Sequence, residues 1–560
     1  MVEAMPDGVA PGRRSPRRAT TVLAVLIVWA VLVAPDRLDQ LTPATFLRIP
    51  VEGLVLVGFV LVLPPLPGRI LAAVAGLLLG LLEVVRLLDM GFYEELGRPF
   101  NPVIDGSSLG PAVGVLRNSV GGGWAKTAVV GAVLLAAAVV SVVTWSTARL
   151  CAVPAGRRTI VARAVGALAV VWLLCAALGL QLTGGAPVAS WTAARLAGDQ
   201  ISAARSSVQD RNAFGKAISA ADPYRQLPAG DLLTGLRGKD VIFAFVESYG
   251  RIATEGSTFS PGVGAVLDAA TTTLGAAGFS SRSAYLTSPT FGGTSWLAHS
   301  TFQSGLWVDD QQRYDQLLAS DRFTLSHAFG RAGWRTVGDV PSNTEAWPAG
   351  QSFYGYDELY DEHDVGYAGP RFSYASMPDQ YTLSAFQRLE LAPGHAPVMA
   401  EIDLVSSHTP WTPLPRMIDP AQVGDGSVFH GMPEQGLTPE VAWRDPGQVR
   451  SLYGQSIEYS LSALTTFVAT SHDPDLVLVL LGDHQPATIV SGAHASHDVP
   501  ITIVAADPTV LDRISAWDWQ DGMRPGPRAP VWPMDSFRNR FLTAFGPLSP
   551  TGTGEARPTG

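Results

Sequence analysis

Cysteine is nearly absent from this sequence, and the two that occur, Cys151 and Cys175, both lie in the apolar part before residue 183. The rest of the chain therefore holds no disulfide framework, no CxxC zinc site and no catalytic cysteine. Charge is also scarce, since 16% of the residues are charged and 47% are hydrophobic, against about a quarter charged in an ordinary soluble protein. That balance argues against a wholly soluble or disordered chain.

The few charges are distributed unevenly along the 560 residues. Residues 1–182 carry a net charge of +5 and the remainder carries −15, which gives the total of −10. Because an acidic domain repels a phosphate backbone, nucleic acid is not an expected partner. The length predicts two to four domains, at roughly 100 to 200 residues each.

Five apolar segments precede residue 183, and most approach the roughly 20 residues that a helix needs to cross hydrocarbon. They cover residues 21–33, 51–66, 70–88, 127–145 and 164–182. The first is short and follows four arginines, as in a signal peptide, but APDRLDQ after it is a weak cleavage site and more apolar segments follow. We therefore predict five transmembrane helices.

Arginine determines the predicted orientation of these helices. Arginines occur before residue 21, at position 69 and between residues 147 and 163, and these segments share one side if all five helices cross the membrane. Positively charged loops stay in the cytoplasm, so the N-terminus is predicted to be cytoplasmic and everything after residue 182 extracellular. The predicted organisation is a basic tail at 1–20, a five-helix transmembrane bundle at 21–182, a helical stalk at 183–237, an extracytoplasmic domain at 238–546 and a disordered tail at 547–560.

From residue 238 short apolar runs alternate with helical stretches. The runs are DVIFAFVES, VMAEIDLVSSH, DLVLVLLGDH and VPITIVAAD. Strands that are apolar throughout are typical of sheets buried on both faces. The pattern predicts an α/β domain with a mostly parallel sheet between layers of helices.

Three of these runs end in side chains that bind metals. Glu247 follows the first run, His408 the second, and Asp483 and His484 the third. In such sheets ligands bind at the carboxyl ends of the strands, and two carboxylates with an imidazole suit a divalent ion such as Mn²⁺, Mg²⁺ or Zn²⁺. Each residue alone also fits a cap or an ion pair, and it is their convergence that favours a metal site.

Hydroxyl groups stand at the start of a predicted helix. In SPTFGGTSWLAHST, residues 288–301, Thr294 and Ser295 follow two glycines. Glycine allows close approach of the backbone to a ligand, and a helix N-terminus attracts phosphate. A hydroxyl beside a metal becomes a better nucleophile, although Thr294 taken alone also fits an ordinary N-cap.

Together these motifs resemble the lipoteichoic acid synthase and phosphoglycerol transferase branch of the alkaline phosphatase/sulfatase superfamily. The matching segments are FVESYGR at 245–251, GGTSWLAHSTFQSGLW at 292–307, SSHTPW at 406–411 and GDHQP at 482–486. They follow five membrane spans, and the likeness covers topology and motif order over most of residues 20–510. The resemblance implies a sulfatase-like fold for residues 238–546.

The resemblance also implies a chemistry and a set of roles. Glu247, Thr294, Asp483 and His484 would hold one divalent ion, Mn²⁺ or Mg²⁺ in the synthases, with Zn²⁺ as the alternative. Thr294 would be the nucleophile, and His408 would contact the substrate headgroup or assist the leaving group. The implied partners are the lipid bilayer, a membrane lipid phosphodiester as donor and a polyol or glycan as acceptor.

By the resemblance Trp347 is a candidate substrate-binding residue, but the sequence departs from the family pattern beside it. The synthases carry an arginine two positions from this tryptophan, and Trp347-Pro-Ala-Gly offers none. Because arginine binds phosphate bidentately, Arg251 or Arg282 becomes the candidate replacement in substrate binding. His497 is a candidate acid, substrate contact or further metal ligand. The scarcity of cysteine excludes the formylglycine sulfatases and makes the disulfide-rich phosphoethanolamine transferases less favoured.

Other functions are compatible with the same residues. Water in place of the acceptor would give a phosphodiesterase or sulfatase-like hydrolase. The missing arginine favours a non-catalytic binding module, whereas the retained Glu247, Thr294, Asp483 and His484 argue against it. A transporter is weakly supported, since the predicted spans contain few polar residues and no pair of interrupted helices.

Overall fold

The computed structural model describes residues 16–106, 110, 113, 122–152, 154–182, 185–492 and 494–547. The chain divides into two compact units. The first comprises Met1–Tyr93, Arg98–Val103 and Val120–Ser207, and the second Glu94–Gly97, Ile104–Ser119 and Val208–Gly560. Most of the predicted basic tail and the predicted disordered tail from residue 548 lie outside the described residues.

The first unit is helical. Its helices are Pro16–Val33, Val51–Val62, Pro65–Leu96, Gly122–Cys151, Arg158–Ala177 and the first part of Thr192–Ile218. The first five occupy the five apolar segments of the sequence. Three are long and apolar enough to cross a membrane, namely Pro65–Leu96, Gly123–Cys151 and Arg158–Ala177, whereas Ala19–Val33 and Val51–Val62 are shorter. Helices with the length and apolar composition of membrane spans are thus present among the described residues, and the count of five crossings stays a prediction.

Two glycines allow close packing within this unit. Gly76 and Gly80 lie one turn apart on helix Pro65–Leu96. A Cβ on Gly80 would lie 2.8 Å from the Cα of Val140, and one on Gly76 would lie 2.9 Å from the Cα of Thr144. Val140 and Thr144 belong to helix Gly122–Cys151. Small residues four apart permit such backbone contact between membrane helices, where dispersion replaces the hydrophobic effect as the attractive term.

The second unit is built on a nine-stranded mixed sheet. The strands within the described residues are β1 (Ile49–Pro50), β2 (Ala189–Ser190), β3 (Asp240–Val246), β4 (Ser280–Thr287), β5 (Arg335–Asp339), β6 (Glu358–Tyr360), β7 (Val398–Leu404), β8 (Leu476–Gly482), β9 (Asp498–Ala505), β10 (Gln520–Asp521) and β11 (Val531–Pro533). Strands β1 and β2 form a separate short parallel pair in the first unit. In the large sheet the order is β10-β4-β9-β8-β3-β7-β5-β6, with β11 beside β4.

The centre of this sheet is parallel and one side is not. Strands β8, β3, β7, β5 and β6 run parallel to one another. Strand β9 runs antiparallel to β8 and to β4. The predicted runs at β3, β7, β8 and β9 are all strands, and the predicted parallel arrangement holds for the first three.

Helices cover both faces of the sheet. The helices of this unit, besides the end of Thr192–Ile218, are Ser260–Ala276, Ser295–Ser304, Gln311–Leu318, Leu325–Ala332, Pro348–Tyr354, Asp379–Glu390, Pro439–Ala442, Pro446–Ser471, Thr488–Ser491, Pro508–Asp512 and Asp535–Ala544. The predicted α/β layering is therefore present. Strand β3 is buried along its whole length, as its continuous apolar sequence predicts.

Aromatic packing fixes helix Ser295–Ser304 against β3. The ring of Phe302 on this helix lies 5.6 Å from that of Phe243 and 5.4 Å from that of Phe245. Both strand residues are buried in an apolar core shared with Phe541. Full burial of each such side chain stabilises the fold by about 1.5–3 kcal/mol. This core determines where the hydroxyls at the start of the helix lie.

Candidate metal centre and active site

Three central strands bring the predicted ligands to one edge of the sheet. Val246 at the end of β3 is in register with Leu404 of β7 and with Gly482 of β8. The residues that follow these strands consequently leave the sheet at the same level. Glu247, the pair Asp483–His484 and the segment ending in His408 all begin there.

Glu247, Asp483 and His484 form a compact cluster, and one potential ligand atom from each lies within 4.8 Å of the others. His484 Nε2 is 3.4 Å from Glu247 Oε1 and 3.5 Å from Asp483 Oδ2. Asp483 and His484 are fully buried, and Glu247 is nearly so. The structure thus brings together three of the four predicted ligands through their side chains.

The backbone around the cluster orients these side chains. Asp483 Oδ1 accepts hydrogen bonds from the N–H groups of Ser248 and His484, both at 2.7 Å. His484 Nδ1 donates to the carbonyl oxygen of Gln485 at 2.8 Å, which directs Nε2 towards the carboxylates. Such a donation to a backbone carbonyl is typical of histidines that bind metals.

Two unusual backbone positions make this arrangement possible. Ser248 has φ of 57°, a left-handed conformation that turns its N–H towards Asp483. A Cβ on Gly482 would lie 1.9 Å from the carbonyl oxygen of Tyr249, so only glycine fits at the end of β8. The turn after β3 and the end of β8 are therefore in direct contact.

The electrostatic field of the cluster favours a cation. Burial raises the pKa of Asp483 to about 7, and the charge of Glu247 adds to this effect. Burial also opposes ionisation of Glu247, but the charges of His408 and His484 hold its pKa well below the usual range. Burial opposes protonation of His484, yet Asp483 and Glu247 raise its pKa to about 9. Two buried carboxylates next to an imidazole whose Nε2 faces them form a donor set that fits a divalent metal ion.

The two hydroxyls at the helix start occupy different positions. Ser295 Oγ donates to Glu247 Oε2 at 2.9 Å and lies 3.2 Å from His484 Nε2. Thr294 Oγ1 instead donates to the carbonyl oxygen of Gly293 at 2.6 Å and is hydrogen-bonded to Thr290 Oγ1. Thr294 is the N-cap of helix Ser295–Ser304 and has φ of 61°. The hydroxyl that touches the cluster is thus that of Ser295, one residue beyond the predicted nucleophile.

His408 lies close enough to Glu247 to lower the pKa of its carboxyl group. Its ring stacks on Tyr374, with centroids 3.5 Å apart, and its Nδ1 donates to the carbonyl oxygen of Thr409 at 2.6 Å. Burial lowers the pKa of His408, although Glu247 opposes this shift. The imidazole is therefore held neutral at pH 7, with Nε2 as the nitrogen that can accept a proton.

The remaining predicted substrate ligands are dispersed. Trp347 precedes helix Pro348–Tyr354, and its ring lies 5.8 Å from that of Tyr354 in an aromatic cluster. Arg251 Nε binds Glu255 at 2.5 Å, and its Nη1 binds Asp498 at 3.0 Å. These two carboxylates engage the guanidinium that was a candidate for phosphate binding.

Arg282 and His497 also have partners of their own. Arg282 lies on β4, and its Nε is 3.4 Å from Asp521 Oδ1. The carbonyl oxygen of His497 accepts from the N–H of Ser288 at 2.9 Å, and its ring lies 5.4 Å from that of Phe291. Burial lowers the pKa of His497, and the charge of His484 lowers it further. Ser288 also donates from Oγ to the backbone carbonyl oxygen of Asp483 at 2.5 Å, so it links His497 to the strand end that carries the cluster.

Several residues of this edge were missed in the sequence. Nothing in the sequence marked Ser248 and Tyr374 as site residues, because a turn serine and a loop tyrosine are common on any protein surface. Glu401 and Asp403 did carry a signal, since they are two acidic residues at i and i+2 on one face of an otherwise apolar strand. With His299 they form a second group of potential metal ligands.

No protein-family model and no curated protein matches this chain. Solved structures do match it. The integral membrane lipooligosaccharide phosphoethanolamine transferase EptA from Neisseria meningitidis covers 94% of this chain and 95% of its own, with 11% identity and a TM-score of 0.47. The lipoteichoic acid synthase LtaP from Listeria monocytogenes covers 60% and 78%, with 14% identity and a TM-score of 0.34.

A third similar structure is the Streptococcus pyogenes phosphoglycerol transferase GacH in complex with sn-glycerol-1-phosphate. It covers 60% of this chain and 90% of its own, with 11% identity and a TM-score of 0.33. These transferases are of the kind that the motifs of the sequence also resemble. Every TM-score is below 0.5, and the function proposed next rests on the side chains described above.

Proposed function

We propose that this protein is a membrane-anchored, metal-dependent phosphotransferase that acts on a lipid phosphodiester of the cell envelope. The observation that carries the proposal is the contact of Glu247 and His484 with a hydroxyl at the start of helix Ser295–Ser304. A helix N-terminus directs N–H groups and a positive dipole end towards a phosphoryl group. The proposed ligands, the hydroxyl of Ser295 and the start of this helix thus lie together.

Glu247, Asp483 and His484, together with a hydroxyl of the Thr294–Ser295 pair, would hold one divalent ion, Mn²⁺ or Mg²⁺ by the resemblance. Bound there, such an ion supplies positive charge that stabilises the phosphoryl oxygens and makes a neighbouring hydroxyl easier to deprotonate. Ser248 and Gln485 keep two of the ligands in place through their backbone hydrogen bonds.

We propose Thr294 as the nucleophile and Ser295 as the hydroxyl that holds Glu247. In the first step Thr294 Oγ1 loses its proton and bonds to the phosphorus, and the bond from phosphorus to the lipid alcohol breaks. In the second step an acceptor hydroxyl bonds to the phosphorus and the ester bond to Thr294 breaks. The neutral His408 can take a proton at Nε2 and return it to the departing alcohol.

The donor is proposed to be a membrane lipid with a phosphoglycerol or similar polyol headgroup, and the acceptor a polyol or glycan. The apolar helices of the first unit keep the chain at the bilayer that contains its donor. We propose a multi-pass topology with a cytoplasmic N-terminus and the second unit outside the cell. Transfer to water in place of an acceptor would make the same site a phosphodiesterase.

The test uses the full-length protein in detergent with Mn²⁺ and phosphatidylglycerol. We expect release of diacylglycerol and, by mass spectrometry, a peptide in which Thr294 carries a glycerophosphoryl group. Thr294→Ala should lower kcat by at least about 1,000-fold, because the covalent step is lost. Ser295→Ala should weaken Mn²⁺ binding about 10- to 100-fold, the usual effect of an orienting partner, and retain turnover at saturating Mn²⁺.

The exposed Thr272→Ala serves as a matched control and should retain full activity. Loss of turnover in Ser295→Ala alone would move the nucleophile to Ser295. An unchanged rate in both variants would contradict the proposed reaction. An acceptor polyol in the assay separates the two outcomes of the second step, since a transferase yields the glycerophosphorylated polyol and a hydrolase yields free glycerol phosphate.

A further inference from the structure

A second cluster of ligand-type side chains lies at the same edge of the sheet. Glu401 and Asp403 project from β7, and His299 lies in the middle of helix Ser295–Ser304. His299 Nδ1 is 3.0 Å from Glu401 Oε1 and 3.3 Å from Asp403 Oδ1. One potential ligand atom from each residue lies within 4.8 Å of the others, the same span as in the first cluster.

Neighbouring side chains hold these groups in fixed positions. The ring of His299 stacks on Phe245 with centroids 3.8 Å apart. Glu401 Oε2 accepts from the hydroxyl of Tyr356 at 3.2 Å and from Gln303 Nε2. Oε1 of the same carboxylate is thereby directed at the imidazole. Outer partners of this kind are what orient the ligands in metal sites.

Hydrogen bonds within the cluster leave one of its carboxylate oxygens without a partner. His299 Nδ1 carries at most one proton, which is directed at Glu401 Oε1. Asp403 Oδ1 is buried and has no hydrogen-bond partner. An unpartnered buried carboxylate oxygen costs free energy unless a cation or a proton is present.

The charges do not balance either. Two carboxylates face one imidazole, so when both are ionised even a protonated His299 leaves one negative charge uncompensated. A divalent ion beside a neutral imidazole would cancel both carboxylate charges.

We propose that His299, Glu401 and Asp403 form a second divalent-cation site, separate from the cluster of Glu247, Asp483 and His484. One imidazole nitrogen and two carboxylate oxygens suit Mn²⁺ or Zn²⁺. The ion would tie helix Ser295–Ser304 to β7 and place positive charge beside the proposed phosphoryl site. This proposal does not depend on the proposed reaction, because it concerns binding of a metal alone.

The test counts ions on the full-length protein in detergent. The protein is stripped with a chelator, titrated with Mn²⁺ by calorimetry, desalted and analysed for metal content. We expect two Mn²⁺ per wild-type chain and one in His299→Gln. The isosteric Glu401→Gln should also bind one, and it serves as a second variant if His299→Gln does not fold. Far-ultraviolet circular dichroism checks the fold of each variant.

His395→Gln is the matched control, because His395 also pairs with a buried carboxylate, Asp240, at 2.8 Å, at the opposite edge of the sheet. It should bind as many ions as the wild type. Glu247→Gln reports on the first cluster and should lose the other ion. Equal ion counts in wild type, His299→Gln and Glu401→Gln would overturn the second site. If an ion is then lost only in Glu247→Gln, the proposed function stands without the second site.

Discussion

At the scale of single residues, the first cluster depends on a strained turn. Ser248 adopts φ of 57°, a conformation that costs an L-residue about 1–2 kcal/mol. In return its N–H binds Asp483 Oδ1 at 2.7 Å and its hydroxyl binds Glu247 Oε1 at 2.9 Å. One serine therefore orients two of the proposed metal ligands, and its backbone conformation matters more than its side chain.

Substitution of Ser248 separates the contribution of its backbone conformation from that of its hydroxyl group. Ser248→Gly removes the hydroxyl but adopts the same φ without strain, so we expect wild-type stability and Mn²⁺ binding weakened less than about 10-fold. Ser248→Val places a β-branched residue in the left-handed region, so we expect a loss of about 1–3 kcal/mol in the free energy of unfolding. Urea titration and Mn²⁺ calorimetry measure both effects. Equal stability of the two variants would show that the turn is not strained.

The sequence was sufficient to predict site residues that directly follow apolar strands. It was not sufficient to predict contacts that depend on the local path of the backbone. Glu247, Asp483 and His484 were predictable because a polar residue directly after a buried strand must lie at the sheet edge. The contact of Ser295 with Glu247 was not, because the one-residue difference from Thr294 depends on how helix Ser295–Ser304 begins. The engagement of Arg251 by Glu255 and Asp498 was also hidden, since Asp498 lies 247 residues away along the chain.

At the scale of elements, the strands that could be predicted from the sequence are the buried ones with long apolar runs. Strands β3, β7, β8 and β9 have long apolar runs and were predicted. Strand β4, with the sequence SSRSAYLT, has a polar first half, and β6 has only three residues. Neither carries the continuous apolar run that identifies a central strand. The antiparallel direction of β9 depends on its pairing with β4 and β8 and could not be predicted from its own sequence.

The paired helices Pro65–Leu96 and Gly122–Cys151 provide a prediction about close packing. Gly80→Leu places a side chain where Val140 now lies 2.8 Å from the Cβ position, so we expect overpacking to cost about 1–3 kcal/mol. Gly91→Leu in the same helix is the control, since nothing lies within 4 Å of its Cβ position. Thermal unfolding in detergent should show a lower Tm for Gly80→Leu than for Gly91→Leu. Equal Tm values would contradict the close contact.

Helix Thr192–Ile218 ends in the second unit, where a bidentate ion pair binds it to helix Gln311–Leu318. Arg313 Nε and Nη2 bind the two oxygens of Asp210 at 2.7 and 2.5 Å. The hydrogen bonds from Arg313 lower the pKa of Asp210. The pair therefore stabilises the fold above the unfolded carboxyl pKa of about 3.9, and this stabilisation is lost as the pH falls through the lower pKa of the folded state.

Asp210→Asn should consequently reduce the free energy of unfolding by about 1–2 kcal/mol at pH 7. The difference from wild type should shrink as the pH falls from 4 to 3. Asp199→Asn on the same helix removes an exposed pair with Arg195 and should cost less than about 0.5 kcal/mol. Urea titrations at several pH values measure these differences. A gap between Asp210→Asn and wild type that does not shrink as the pH falls below 4 would exclude the ion pair as its cause.

At the scale of the whole molecule, the proposed topology can be tested with single introduced cysteines, because the chain has only two of its own. Cys151 and Cys175 are both buried, and their replacement by alanine gives a background without thiols. In intact cells Thr272→Cys should react with a membrane-impermeant maleimide, because residue 272 is exposed and proposed to lie outside. Arg157→Cys, in the loop proposed to be cytoplasmic, should react only after lysis. The reverse pattern would invert the topology.

The proposed metal ligands are assembled late, from distant parts of the chain. Ser248, which neighbours Glu247, and Asp483 are separated by 235 residues in sequence and meet only through the register of β3 and β8. A chain still emerging from the ribosome therefore has no such site to offer. The identity of the ion is then decided by the metals present where folding is completed, and not by those present where the protein is translated.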